Sequence, residues 1–142
     1  MYTMKQTCLE VNMPYETLKF YCNEGLVPNV KRDKNNRRIF DDHDVAWIKS
    51  LVCLKNCNMS IAEMHTYLDM CLRGKDTIPE RKVMLAGKKQ ELEEKIRILQ
   101  EAVAYIDWKQ NFYDDILSGK TEYFSNLTPP ADDTNEQKKT IA

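Results

Sequence analysis

Within the first 38 residues, seven bases (Lys5, Lys19, Lys31, Arg32, Lys34, Arg37 and Arg38) stand against four acids (Glu10, Glu16, Glu24 and Asp33). Such a local surplus of positive charge suits contact with an anionic polymer backbone. The run from Pro14 to Glu24 carries Tyr15, Thr17, Lys19 and Tyr21, donors of the kind that reach base edges and phosphates in a major groove, and the bases from Lys31 to Arg38 follow as a phosphate clamp. The plainer readings are a solvated basic loop over ordinary helices, or a coiled-coil interaction protein whose basic lobe docks an acidic partner. Other chemistries lack their parts. The four glycines form no phosphate-cradling cluster, the two histidines (His43 and His65) stand apart, and there is no paired acid and base, nucleophile motif or cofactor fingerprint. No enzyme activity, metal site or cofactor is expected.

Punctuation residues mark the elements that must present these side chains. Met4 to Val11 is a short amphipathic run interrupted by Asn12. The second run has Pro14 suited to a first helical turn and Gly25 to the left-handed residue after a helix, which together predict a helix-turn-helix. Asn35-Asn36, tolerant of positive φ, reads as the turn of a small hairpin flanked by Val30 and Ile39-Phe40. Asp41 is placed to cap a helix that carries Val45, Ile48, Leu51 and Val52 as far as Asn58. Ser60 to Glu63 reads as a capping box opening another helix, which ends near Gly74.

Residues 74–79 read as a polar linker. From Glu80 to Tyr113 no proline occurs, and Leu85, Leu92, Ile96, Leu99, Val103, Ile106 and Tyr113 recur at steps of seven, four, three, four, three and seven, which is heptad spacing. So narrow a stripe needs a second helix to cover it, and Lys89 and Gln110, which fall on the same seam, are placed to set its register. The expected fold is mainly α: a DNA-binding lobe over 1–73, the linker, a dimerisation helix over 80–118 and a partly disordered tail over 119–142.

A chain of 142 residues and 16.7 kDa fits one ordinary domain or a small domain with a long extension. Its 30% charged residues suit long exposed helices, while a net charge of -1 excludes a uniformly basic coat. The first residues lack the apolar core of a signal peptide and no stretch approaches the ~18 apolar residues of a membrane span, so a cytoplasmic chain is expected. Five cysteines (Cys8, Cys22, Cys53, Cys57 and Cys71), odd in number and unevenly spaced, read as reduced thiols.

Taken in order, Thr17-Leu18-Lys19-Phe20-Tyr21, Gly25-Leu26-Val27-Pro28, Asn35, Arg38, Phe40, Asp44-Val45, Leu54-Lys55, Met59-Ser60-Ile61 and Glu63-Met64 resemble the MerR family of transcription regulators, from Met4 to about Leu72. The resemblance implies a winged helix-turn-helix, a second helix pair and an antiparallel coiled coil between two chains. It also implies a homodimer bound to a pseudo-palindromic promoter operator in double-stranded DNA, which such regulators bend and untwist so that RNA polymerase can engage both promoter elements. It places Tyr15, Thr17, Lys19 and Tyr21 on the DNA-contacting helix, Arg37 and Arg38 on the wing, and Leu18, Leu26 and Val45 in the core. Lys19 stands where the family usually has arginine, which keeps the charge and loses the planar fork. Asn12, Asn36 and Asn58 stand where the family usually has glycine, in the first turn, at the wing tip and before the capping box. Asparagine is the best non-glycine residue for a left-handed backbone, so the same turns are expected.

Metal-sensing members of the family place a cysteine at the start of the dimerisation helix and more in a loop after it, whereas no cysteine follows Cys71 here. The segment from Leu51 to Ser60 resembles the branch that senses aldehydes and electrophiles with a lone thiol. That makes Cys53 the expected effector residue in a stress response, with Lys55 near enough to favour the thiolate and Cys57, one helical turn on, as a resolving thiol. The opposing reading has both cysteines as small core hydrophobes. A further reading is a small organic ligand held among Tyr105, Trp108, Phe112, Tyr113, Tyr123 and Phe124, whose other use would be to pack the coil ends against the lobe.

Overall fold

The computed structural model describes residues 1–127, so residues 128–142, which hold most of the expected disordered tail, lie outside the described residues. Five helices, α1 (Met4–Val11), α2 (Tyr15–Asn23), α3 (Asp42–Asn56), α4 (Ile61–Arg73) and α5 (Ile78–Leu117), are joined by three short strands, β1 (Tyr2–Thr3), β2 (Lys31–Arg32) and β3 (Arg38–Phe40). The strands form one antiparallel sheet in the order β1-β3-β2. The hairpin lies where the asparagine pair predicts it; β1, which pairs Tyr2 with Phe40, is too short to show as a pattern.

Side chains start the helices. Thr3 and Gln6, Asp41 and Asp44, and Ser60 and Glu63 each form a capping box, the first side chain accepting from the third helical N–H and the second reaching back to the cap N–H. Pro14 is a correction: its backbone is extended (φ −61°, ψ 147°), so it precedes α2 instead of entering it, and its carbonyl accepts from Leu18 N at 3.1 Å.

One closure ends four of the helices. Asn12, Gly25, Asn58 and Gly119 take φ of 53°, 76°, 65° and 82°, and the residue after each donates its N–H to the carbonyl five back: Met13 to Cys8, Leu26 to Tyr21, Met59 to Leu54 and Lys120 to Asp115, at 2.9 to 3.2 Å. Met13, Leu26 and Met59 are thereby turned inward and buried. At the wing tip, Asn36 takes φ 60°, and Asp33 Oδ1 accepts from Asn35 N and Arg37 N at 2.8 and 3.0 Å. All three asparagines therefore do what the glycine positions require.

The chain divides into two compact units, Met1–Leu92 and the residues from Glu93 on. In the first, Leu18, Leu26, Phe40, Ile48, Leu51 and Met64 make a fully buried centre, and Trp47 Nε1 donates to Leu26 O at 2.7 Å. The expected linker over 74–79 and helix over 80–118 need correction. Lys75–Thr77 form a 3-10 turn and α5 runs from Ile78 to Leu117, because Thr77 Oγ1 donates to Met70 O and Gly74 O at 2.5 and 2.8 Å and Arg81 Nη2 donates to Gly74 O at 2.6 Å. Pro79 falls in the first turn of α5, where its missing N–H is no loss. In the second unit, rings stack along the helix: Tyr105 on Trp108 at 6.1 Å and Trp108 on Phe112 at 5.7 Å, with Phe124 edge-on to Phe112 at 5.6 Å. None of the helices among the described residues is long and apolar enough to cross a membrane.

Candidate nucleic-acid interface

α2 buries Leu18 and Tyr21 and turns Tyr15, Glu16, Lys19 and Phe20 to solvent, with Thr17 half-buried. Of the expected helix contacts, Tyr15, Thr17 and Lys19 therefore reach the surface. Tyr21 does not: it is 3% exposed, and its ring belongs to the core. Spacing explains the difference, since Leu18 and Tyr21 are three apart and share the inner face. Glu16 and Phe20 share the outer face of α2 with Tyr15 and Lys19, as the same periodicity dictates.

The wing is tied to this helix. Arg38 Nη2 donates to Asn23 Oδ1 at 2.6 Å, which ties strand β3 to the end of α2. Arg32 Nη1 donates to Asn36 O at 2.9 Å and braces the tip. Lys31 pairs with Asp41 at 2.7 Å, and this hydrogen-bonded ammonium holds the Asp41 carboxyl down at about 2. Lys19, Lys34 and Arg37 have no ion-pair partner among the described residues, which leaves their charge for an outside anion.

Across from α2, an open groove is lined by Thr17 and Phe20 on one side and by Lys55, Ser60 and Ile61 on the other. Lys55 thus lines the same groove as Thr17 and Phe20 of α2. Cys53 is exposed and the other four cysteines are partly buried, Cys57 at the end of α3 with its backbone N–H on Cys53 O at 3.0 Å. Burial pushes the Cys8 and Cys22 thiols up. No cluster of three or more metal-ligating side chains occurs among the described residues.

The expected dimer seam stands uncovered. Leu99 is 65% exposed, Ile96, Val103 and Ile106 are more than half exposed, Leu85 is exposed and Leu92 half-buried. The rings near the end of α5 fill one another's faces, and Lys109 Nζ lies 5.4 to 5.8 Å from the centres of Trp108, Phe112 and Tyr113.

Comparison with known proteins bears on the whole arrangement. The family model for MerR HTH family regulatory proteins matches residues 2–71. An uncharacterized HTH-type transcriptional regulator of Haemophilus influenzae is 33% identical over 112 residues, covering 79% of this chain and 83% of that one. The HTH-type transcriptional regulator AdhR of Bacillus subtilis is 32% identical over 87 residues, 61% of this chain and 62% of AdhR. Among solved structures, HiNmlR, a MerR family regulator lacking the sensor domain and crystallised on promoter DNA, superposes with a TM-score of 0.68 at 32% identity, over 82% of this chain and 93% of that one. These relatives are transcriptional regulators, not enzymes. Motif order, left-handed turns, wing and relatives thus agree, and the chain belongs to the MerR family of DNA-binding helix-turn-helix regulators.

Proposed function

We propose that the chain works in the cytoplasm as a homodimer that binds a pseudo-palindromic promoter operator, each lobe placing α2 in a major groove and its wing on the flanking phosphates. The observation that carries this reading is the Arg38–Asn23 bond, which ties helix to wing beside Lys19, Lys34 and Arg37, bases without an ion-pair partner among the described residues. The exposed apolar seam of α5 supports a dimer, and charge supports an antiparallel one. Residues 78–89 hold four bases and one acid, and residues 101–117 four acids and one base. Antiparallel helices set these opposite ends together; parallel helices would set like beside like. By family resemblance, the dimer would distort the promoter to suit RNA polymerase.

Operator binding should weaken steeply with salt, and Arg37→Ala should lower affinity on every sequence and reduce the salt slope by about one. Fluorescence anisotropy at several salt concentrations measures both. Unchanged affinity and slope in the variant would remove Arg37 from the interface.

The exposure of Cys53 favours a thiol response to electrophiles or aldehydes as the effector step, with Cys57 available to resolve an oxidised Cys53. Sub-stoichiometric iodoacetamide followed by peptide mass spectrometry should place the first adduct on Cys53. First labelling of Cys22 or Cys71 would overturn this assignment.

A further inference from the structure

Besides its apolar seam, α5 carries a second stripe. Thr77, just before the helix, and Arg81, Met84 and Lys88 recur at steps of four, three and four, so they lie on one side, roughly 100° round from Leu85. Each docks on the lobe. Thr77 is 5% exposed and, like Arg81, bonds the carbonyls that end α4; Met84 packs on the hydrophobic core. Lys88 is 8% exposed, a burial that lysine tolerates only when paired. Its ammonium reaches Glu63 Oε2 at 2.6 Å, Glu91 Oε2 at 3.1 Å and Asn58 O at 3.4 Å.

The three partners belong to different elements. Asn58 is the left-handed residue of the α3–α4 turn, Glu63 caps α4 by accepting from Ser60 N through its other oxygen at 3.0 Å, and Glu91 lies on α5 itself. One buried charge therefore fastens the first turns of α5 to the turn that α3 and α4 share. Among the described residues, none of its hydrogen bonds or ion pairs goes to α2 or the wing.

We propose that Lys88 is a positioning residue for two-site DNA binding: by fastening the first turns of α5 to the α3–α4 turn, it sets the half-site separation that a dimer can span. The proposal rests on the homodimer reading above. Physically, the second lobe binds its half-site at an effective concentration set by the geometry of the link, so a loosened junction costs the second contact and spares the first.

The test uses the full chain and the inverted repeat that the wild-type protein selects from a randomised duplex pool. Companion duplexes carry one half alone, or both halves moved by one base pair. Lys88→Met should bind the half-site duplex as wild type does, lose about tenfold on the inverted repeat and discriminate less against shifted spacings. Lys88→Arg should restore the preference, and Glu63→Gln, which keeps the capping box, should show a milder form of the Lys88→Met pattern. Equal losses of Lys88→Met on half and full duplexes, or wild-type behaviour on all of them, would overturn the proposal. Equal wild-type affinity for half and full duplexes would instead overturn the dimer reading, and this proposal with it.

Discussion

Replacing Leu99 with lysine should leave the chain monomeric at micromolar concentration while the N-terminal lobe unfolds at its usual denaturant midpoint. Leu99 lies midway between Leu85 and Tyr113, the ends of the apolar seam, so in an antiparallel pair it meets its own copy near the two-fold axis. Each chain then loses a leucine from the contact and gains a charge with no acid across from it. Losing a buried leucine costs about 2 to 5 kcal/mol, and two per dimer raise the dissociation constant by about a thousandfold or more. Sedimentation velocity measures the effect directly. Operator affinity should fall with it, because one lobe alone lacks the second half-site. A variant that stays dimeric would place the dimer contact elsewhere.

The polar residues on the seam sharpen the expectation about direction. Lys89 lies ten residues before Leu99 and Gln110 eleven after, so antiparallel helices bring the lysine of one chain close to the glutamine of the other. In a parallel pair each would face its own copy, and two lysines in one layer repel. The polar pair and the opposed charges of the two ends therefore favour the same arrangement, although they arise from different residues. A seam of leucine and isoleucine alone would pair tightly in more than one register. In the proposed dimer, Lys89 and Gln110 would give up some of that stability for a single alignment, which a fixed half-site spacing demands.

What could be read in the sequence was whatever the backbone or an apolar period dictates locally. Asn12, Asn36 and Asn58 announce left-handed turns because few other residues tolerate them, and all three adopt that conformation. The Ser60 box and the Asp41 cap sit at helix starts for the same reason: the orphan N–H groups there need an oxygen. Two of the misses depend on contacts between distant residues. β1 is two residues long and exists only because Phe40 lies across from Tyr2. Tyr21 carries a hydroxyl and so reads as a surface donor, yet its position three after Leu18 turns it inward. The stripe through Arg81 and Lys88 is invisible to hydrophobic periodicity because its burial comes from ion pairs and carbonyls, which no pattern of apolar residues records. The turns and helix starts of the lobe were thus legible, and the attachment of the long helix was not.

Phe40→Ala should produce the largest loss of stability of any single truncation in the wing, about 3 to 5 kcal/mol. Phe40 is fully buried at the end of β3, in one cluster with Leu18 of α2, Leu26 after it and Ile48 of α3. β3 is also the central strand: it pairs with β1 through Tyr2 and with β2 through Ile39 and Arg38. Truncating the ring leaves a cavity beneath β3, the strand that joins the hairpin to β1, and strands of two residues have too few hydrogen bonds to keep their place without it. A domain of this size is stable by about 5 to 15 kcal/mol, so the variant should populate unfolded chains measurably at body temperature. Urea denaturation should show the midpoint falling with the slope unchanged, and Phe40→Leu should recover most of the loss. The Arg38–Asn23 tie predicts the functional consequence: once Phe40 no longer seats β3, Arg38 cannot hold the wing to α2, and operator affinity should fall even where the variant remains folded. A loss below about 1 kcal/mol would mean that the hairpin is held by its backbone pairing instead of by the ring.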